Sequence, residues 1–313
     1  MKFSTKIIIP KSDAPINHHS KVLLLGSCFT ENMGSKFDFF KFQNLTNPFG
    51  IVFNPVSIEN LVFRALTNDE FTEKDIFFHD GLWKCFSVHS DFNNCNKEDF
   101  LIQLNITLKQ IKHNLLSTTH LILTLGTAWV YRTITDQNIV ANCHKAPQNQ
   151  FNKELLSIDI IERSLQNVMD LVLKYNPSCN FIFTISPVRH IKDGFIENNV
   201  SKAHLISAVY QLKCENKNYF PSYEILMDEL RDYRFYADDL LHPSKMAVDF
   251  IWQRFIETYF TDETIALCNE VEAIQKALLH RPLNSNSENH LKFLLHLKEK
   301  IKNFSLQNPH IKF

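Results

Sequence analysis

The sequence contains little glycine and has no strong excess of charge of either sign. Only six of its 313 residues are glycine, so each is expected at a position where the backbone requires it. The 33 Lys and Arg residues balance 34 Asp and Glu residues, which leaves no overall field to attract a phosphate backbone. We therefore expect no nucleic-acid partner.

The seven cysteines match neither of the common cysteine patterns, those of disulfides and of zinc sites. Their number is odd and they include no C-x-x-C pair, so neither a disulfide framework nor a thiolate zinc site fits. No window reaches the roughly 18 apolar residues that a membrane-spanning helix needs. The segment Met1–Ser20 lacks the apolar core of a signal peptide. The sequence thus predicts a cytoplasmic protein with reduced thiols and no membrane partner.

What the sequence does contain is a large apolar fraction arranged in a regular alternation. Hydrophobic residues make up 44% of the chain and include 27 Phe, enough for a sizeable core. Three short apolar runs, at 21–26, 120–126 and 180–186, predict strands that are buried on both faces. Helical periodicity follows at 97–117, 153–175 and 198–213. This order predicts an α/β protein, a three-layer α/β/α sandwich with a parallel sheet of about five strands.

Two segments interrupt the alternation, and the end of the chain differs from the rest. Residues 76–92 predict a hairpin that turns at Asp80-Gly81, and residues 128–142 predict a second that turns near Asp136. From residue 261 onward the chain is polar and helical, with helices at 263–279 and 288–304. Pro282, Asn284 and Asn286 separate these helices. We therefore divide the chain into a domain over 1–260 and a helical appendage over 261–313.

A serine follows the first predicted strand at the point where ligands bind in open α/β sheets. Ser27 lies between Gly26 and a segment that begins a helix, so backbone N–H groups and the positive end of the helix would lie beside its hydroxyl. These features suit a nucleophile. Serine is also a routine N-cap residue, and the spacing alone leaves that alternative open.

A second candidate group lies near the last predicted helix of the domain. Asp239 and His242 are three residues apart, so the carboxylate can accept a hydrogen bond from the imidazole within one turn. Such a bond would fix the tautomer and leave the other ring nitrogen free to take a proton. The alternative is a surface loop in which Asp239 caps the helix that begins near Ser244.

Together these blocks resemble the GSCFA family of the SGNH (GDSL-like) hydrolase superfamily. The resemblance covers about residues 20 to 260 and implies a flavodoxin-like SGNH fold. The segments that carry it are Gly26-Ser27-Cys28-Phe29, Asn47-Pro48-Phe49-Gly50-Ile51-Val52-Phe53-Asn54-Pro55, Leu125-Gly126-Thr127-Ala128, Asn142-Cys143-His144-Lys145 and Ser186-Pro187-Val188-Arg189-His190.

The resemblance implies a Ser-His-Asp triad of Ser27, His242 and Asp239. It also implies an oxyanion hole formed by the backbone N–H groups of Ser27 and Gly50. The chain departs from the superfamily in the third block, where Gly126-Thr127-Ala128 lacks the usual Asn.

Asn142 is the preferred substitute for that side chain, because it follows the hairpin that begins directly after the third block. A simple turn Asn is an equal alternative. Thr127 is the main competitor as donor, since its hydroxyl lies at the end of the strand itself.

The same motifs supply further candidates for contact with a substrate. Cys28 is a rival nucleophile, because a thiol at a helix N-terminus can have a lowered pKa. Ser27 is preferred, because Cys28 lies one residue beyond the superfamily serine and a cysteine more often packs under such a turn. Arg189 and His190, with Lys202 nearby, are candidates for orienting a substrate, and their alternative is a solvated loop. Thr127 and His144 complete the set of candidate substrate-binding residues. Single histidines such as His144 match no metal-ligand spacing, so we expect neither a metal nor another cofactor.

The function that follows is a serine hydrolase acting on an acyl or acetyl ester, such as that of a carbohydrate. The partner would be a small-molecule or glycan ester. An O-acyltransferase with the same triad is the first alternative, because it differs only in the acceptor of the acyl group. A non-catalytic binding module with an SGNH fold is the second, since the third-block Asn is missing.

Overall fold

The computed structural model describes residues 5–284 and 287–313, and a parallel sheet forms its centre. The prediction of a linker used Asn286, and the prediction that no signal peptide is present used Met1–Ser4. These residues lie outside the described residues. The strands are β1 (Lys21–Gly26), β2 (Gln43–Thr46), β3 (Phe77–His79), β4 (Leu82–Lys84), β5 (His120–Leu125), β6 (Trp129–Thr133), β7 (Ile139–Val140), β8 (Phe151–Leu155), β9 (Asn180–Ile185) and β10 (Lys217–Phe220). The helices are α1 (Cys28–Phe39), α2 (Pro55–Thr67), α3 (Lys97–Leu115), α4 (Ile158–Tyr175), α5 (Phe195–Gln211), the short α6 (Ser222–Glu224), α7 (Lys245–Tyr259), α8 (Asp262–Leu278) and α9 (Glu288–Gln307).

The central sheet has the strand order β2-β1-β5-β9-β10, and all of its pairs are parallel. Counted along the chain, this is the 2-1-3-4-5 order of flavodoxin-like folds. The chain reverses its direction of growth between β1 and β5. In folds of this kind, ligands bind outside the carboxyl ends of the strands at that point.

Helices cover both faces of the sheet because its central strands are apolar on both sides. Leu23 and Leu25 of β1 pack with α2, α3, α4 and α5 on one face. Val22 and Leu24 of the same strand pack with α1 and α7 on the other. The predicted three-layer α/β/α sandwich is confirmed.

Both predicted hairpins are present, but the second is larger than expected. β3 and β4 pair antiparallel around Asp80-Gly81, and β6 pairs with β7. β8 adds a third strand to this second sheet. The prediction of helix from residue 153 is therefore wrong at its start, because 151–155 forms β8. The helix begins after Ser157, whose hydroxyl accepts the Ile160 N–H and caps it.

The C-terminal helices form a small core of their own that continues from the main one. Cys268 of α8 packs with the α1 and α7 layer, whereas Val271 and Ile274 pack against Leu297 and Phe304 of α9. The predicted pair of helices is present, and the domain boundary at residue 261 stays a prediction. Every helix in the described part of the chain is too short or too polar to cross a bilayer.

Candidate active site

The β1–α1 turn lies at the point where the sheet reverses its growth. Ser27 is the N-cap of α1, and its Oγ accepts the Phe29 N–H at 3.3 Å. The Ser27 N–H donates to the Thr124 carbonyl at 3.0 Å, so the ladder between β1 and β5 continues through this residue. Only 1% of Ser27 is exposed. The N-cap role that the sequence left open for Ser27 is thus present in the structure.

Gly26 is required at this turn by both its conformation and its neighbours. Its φ is +146°, and a Cβ built on it would lie 2.1 Å from the Thr124 carbonyl oxygen. Because that oxygen belongs to the sheet backbone, it cannot move aside as a flexible side chain could. Gly26 therefore allows the close approach of β1 and β5 that sets the position of Ser27.

We expect Gly26→Ala to lower the free energy of unfolding by about 3 kcal/mol or more, because a backbone clash adds to the strained φ. Urea denaturation would measure this loss. Gly81→Ala is the matched control, since Gly81 also has a positive φ of +74° but no heavy atom within 4 Å of the added Cβ. Gly81→Ala should cost only about 1–2 kcal/mol. Equal losses in the two variants would show that the clash at Gly26 does not matter.

The two backbone donors expected for the oxyanion hole are already used inside the protein. The Gly50 N–H donates to the Asn47 carbonyl at 2.7 Å, and the Ser27 N–H is held by Thr124 as described above. Neither N–H is therefore free to face a substrate oxygen in this structure. The sequence could not reveal this, because each bond depends on how separate segments fold together.

Asp239 and His242 form the hydrogen-bonded pair that their spacing predicts. Oδ2 of Asp239 lies 2.6 Å from His242 Nδ1. Oδ1 accepts the backbone N–H groups of Leu241 at 2.9 Å and His242 at 3.0 Å. These bonds, that from the His242 N–H first, lower the pKa of Asp239 to about 2. Since an ionised carboxylate only accepts, Nδ1 must donate, and Nε2 of a neutral His242 is left to take a proton.

A cleft of about 360 Å³ opens beside this pair. It is lined by Thr127 after β5, by Arg189 and His190 after β9, and by His242. Three of the predicted substrate-contact residues therefore line one cleft with the predicted base. Ser27 is not among the residues that line the cleft, and no hydrogen bond joins its Oγ to His242 among the described residues.

Arg189 and His190 carry unused hydrogen-bonding capacity in this cleft. In the part of the chain that the structure describes, Arg189 Nε and His190 Nε2 are buried without a partner. Burial, with smaller contributions from Lys202 and His242, lowers the pKa of His190 to about 3. His190 is therefore neutral at physiological pH and can offer a ligand a neutral nitrogen. Thr127 differs, because its hydroxyl is already bonded to Ser201 Oγ at 2.8 Å.

The structure gives Asn142 and His144 roles within the hairpins. Asn142 Oδ1 accepts the His144 N–H at 2.7 Å, and its neighbours Val140 and Ala141 line the cleft in its place. His144 is buried, and its Nε2 lies 2.7 Å from the Cys85 carbonyl and 3.1 Å from that of Val88. His144 thus ties the two hairpins together, and its contact with a substrate stays a prediction.

We expect Asn142→Ala to lower the free energy of unfolding by about 1 kcal/mol, the typical worth of one hydrogen bond, and to leave kcat for ester hydrolysis unchanged. Thermal denaturation and steady-state kinetics would measure the two effects. A loss of kcat of roughly 10²-fold at constant KM would instead support Asn142 as an oxyanion donor.

Lys202, which was named only beside the candidates for orienting a substrate, is a buried lysine beneath the site. It is 1% exposed, and its Nζ donates to the carbonyls of Gly126 at 2.6 Å and Ser186 at 2.9 Å. These carbonyls directly follow β5 and β9. The available signal was helical spacing, because Lys202 shares a face of α5 with the buried Leu205 and Val209.

Among residues 5–284 and 287–313, no three His, Cys, Asp or Glu side chains gather closely enough to hold a metal ion. The polar groups of the cleft instead form an acid–base set, with an oriented imidazole and a neutral second histidine.

Comparison with known proteins identifies the family of this sequence. The model of the GSCFA family matches residues 21–255, and that of the GSCFA domain protein, C-terminal domain, matches residues 271–313. No curated protein matches the sequence. Among solved structures, the crystal structure of a carbohydrate esterase family 3 from Talaromyces cellulolyticus aligns with 80% of this chain and 99% of that chain. The two share 11% sequence identity, with a TM-score of 0.31.

Proposed function

The chain belongs to the GSCFA family, and we propose that it hydrolyses an acyl ester. The substrate class is an acyl or acetyl ester of a small molecule or a carbohydrate. The reaction proceeds through a covalent acyl-enzyme, with His242 as the general base and Asp239 as the residue that orients it.

The Asp239–His242 pair is the observation that carries this proposal. A carboxylate that accepts from Nδ1 and from two backbone N–H groups holds the imidazole in one tautomer and one orientation. His242 lines the cleft together with Arg189 and His190, which can bind polar groups of a substrate. A loop that only capped helix α7 would not need this arrangement, since Ser244 already caps that helix through the Ala247 N–H.

His242 Nε2 takes the proton of a nucleophile in the β1–α1 turn as that nucleophile attacks the ester carbonyl. His242 then gives this proton to the departing alcohol, and water releases the acid by the same route in reverse. The resemblance assigns the attack to Ser27, and Cys28 is the other nucleophilic side chain in the turn. In active sites without a bound ligand, the hydrogen bonds between catalytic groups are often long and shorten only when substrate binds. The absence of a hydrogen bond between Ser27 Oγ and His242 is therefore compatible with these steps.

The N-terminus of α1 supplies the positive end of a helix dipole at the place where negative charge develops. Here the Cys28 N–H is bonded to no other residue among those the structure describes, and the buried amide nitrogen of Asn47 has no partner among them. Asn47 lies directly beside the turn, since its Oδ1 accepts the Gly26 N–H at 2.9 Å. These two donors take the place that the sequence had assigned to the N–H groups of Ser27 and Gly50.

The test is multiple-turnover hydrolysis by the purified chain. Para-nitrophenyl acetate and chemically acetylated oligosaccharides would serve as substrates, with released acetate as the common readout. We expect turnover with at least one of them and none with the corresponding amide-linked saccharide. A folded chain that releases no acid from any ester would instead favour the non-catalytic binding module.

A further inference from the structure

Cys28 is the residue of the β1–α1 turn that a substrate can reach. Gly26, Ser27, Phe29 and Thr30 are all buried, whereas Cys28 is partly exposed. Ser27 is in addition held by its neighbours, because its Oγ accepts the Phe29 N–H and its N–H donates to Thr124. An attacking atom must be accessible, and Cys28 is the one residue from Gly26 to Thr30 that is not buried, although neither Ser27 nor Cys28 lines the cleft of His242.

The backbone around Cys28 also fits an attacking group. Its own N–H is bonded to no other residue in the described part of the chain and lies beside its own Sγ, while the next two N–H groups, of Phe29 and Thr30, are bonded to Ser27. A free N–H on the residue that attacks lies close to the oxygen of the tetrahedral intermediate. The nucleophile and one oxyanion donor would thus come from the same residue at the positive end of α1.

Lys202 is buried close to this thiol, and burial lowers the pKa of Lys202 to about 7. Its Nζ donates to the carbonyls of Gly126 and Ser186. In its protonated form Lys202 favours the thiolate of Cys28, whereas burial and then Glu31 raise the pKa of that thiol overall. The other groups that face Lys202 are Glu224, His190 and the ring of Tyr223.

The parallel sheet brings Cys28 to the same edge as the predicted base, because the carboxyl ends of parallel strands lie at one edge. Cys28 follows β1, and Lys202 donates to the carbonyls that follow β5 and β9. His242 lines the cleft with Thr127 after β5 and His190 after β9. Cys28, Lys202, His190 and His242 therefore lie at one edge of the sheet. A thiol that is protonated at rest needs a base, and His242 is the side chain at this edge that is oriented to act as one.

We propose that Cys28, rather than Ser27, supplies the attacking atom, and that Lys202 is a positioning residue that holds the ends of β5 and β9 at this edge of the sheet. This inference rests on the proposed ester hydrolysis. The thiol proton passes to His242 as the S–C bond forms and the carbonyl electrons move to oxygen. The C–O bond then breaks, and the alcohol leaves with the proton from His242. Water attacks the thioester, its proton passes to His242, and the sulfur takes that proton back as the C–S bond breaks.

Three single variants test the nucleophile, with the substrate on which the wild-type chain is active. We expect Cys28→Ala to lower kcat/KM by about 10³-fold or more, whereas Ser27→Ala and the control Cys214→Ala stay within tenfold of wild type. Cys214 is also a partly exposed thiol but lies outside the site. A mass gain of one acyl group on the Cys28 peptide, removed by hydroxylamine, would identify the thioester.

The outcomes separate the inference from the proposed function. An active Cys28→Ala chain with an inactive Ser27→Ala chain, or stable fluorophosphonate labelling of Ser27, overturns the inference and leaves the esterase proposal intact. A wild-type chain that cleaves no ester overturns both. Cys28→Ser guards against misfolding of the Ala variant, because it keeps nearly the same size. Its folded state can be checked by thermal denaturation, and it too should lose most of the activity.

Lys202 is tested by a measurement that does not use activity. We expect Lys202→Met to slow iodoacetamide alkylation of Cys28 at pH 7 severalfold, because Lys202 is partly protonated at that pH and its positive charge favours the thiolate. Lys202→Arg should be alkylated at least as fast as wild type. An unchanged rate in a folded Lys202→Met chain would show that Lys202 acts only on the carbonyls of Gly126 and Ser186.

Discussion

His242→Ala should lower kcat for ester hydrolysis by about 10³-fold, with a smaller change in KM, because a general base contributes mainly in the transition state. His190, the other histidine that lines the cleft, cannot replace it, because burial lowers the pKa of His190 to about 3. His242 is exposed, so the variant should keep its fold, which thermal denaturation would confirm.

The matched control for this variant is His113→Ala. His113 is exposed in the last turn of α3, away from the cleft, and its replacement should leave kcat unchanged. Equal activity of the His242→Ala chain and wild type would remove the acid–base role of His242, and with it the central support of the esterase proposal.

Asp239→Asn should lower kcat by about 10³-fold through the tautomer of His242 and not through loss of the loop. An Asn oxygen can still accept the N–H groups of Leu241 and His242, but its amide nitrogen would donate to Nδ1. The proton of the imidazole would then lie on Nε2, where it blocks proton uptake. Steady-state kinetics on the same ester would measure the effect.

Asp238→Ala is the neighbouring control for the Asp239 variant. Asp238 is exposed, and the described contacts give its side chain no bond to His242, so most of the activity should remain. If instead Asp238→Ala abolished hydrolysis and Asp239→Asn did not, the orienting carboxylate would have been assigned to the wrong residue.

The central strands were predictable because burial on both faces makes them continuous apolar runs. The run at 21–26 coincides with β1, and the predicted strands at 120–126 and 180–186 end one residue beyond β5 and β9. The edge strands β2 and β10 have the sequences QNLT and KNYF, which contain no apolar run. Their pairing with β1 and β9 comes from the fold and not from their own composition.

The site was predictable only where its geometry is local. Asp239 and His242 lie within one turn, so their spacing alone indicates the bond between them. Whether a backbone N–H is free depends on residues far away in the sequence. The Ser27 N–H, which was predicted to face the oxyanion, donates to the Thr124 carbonyl instead. Lys202 illustrates the same limit, because a lysine in a helix is usually solvated and only the packing of α5 buries this one.

The turn at Ser27 is held from both sides by segments that lie far from it in the sequence. The Gly26 N–H is bonded to Asn47 after β2, and the Ser27 N–H to Thr124 of β5. Both bonds require the parallel sheet, whose pairings enclose long loops and cost chain entropy before they stabilise the protein. The β1–α1 turn should therefore be among the last parts to form during folding, so the proposed ester hydrolysis should recover after helical circular dichroism when the chain refolds from urea.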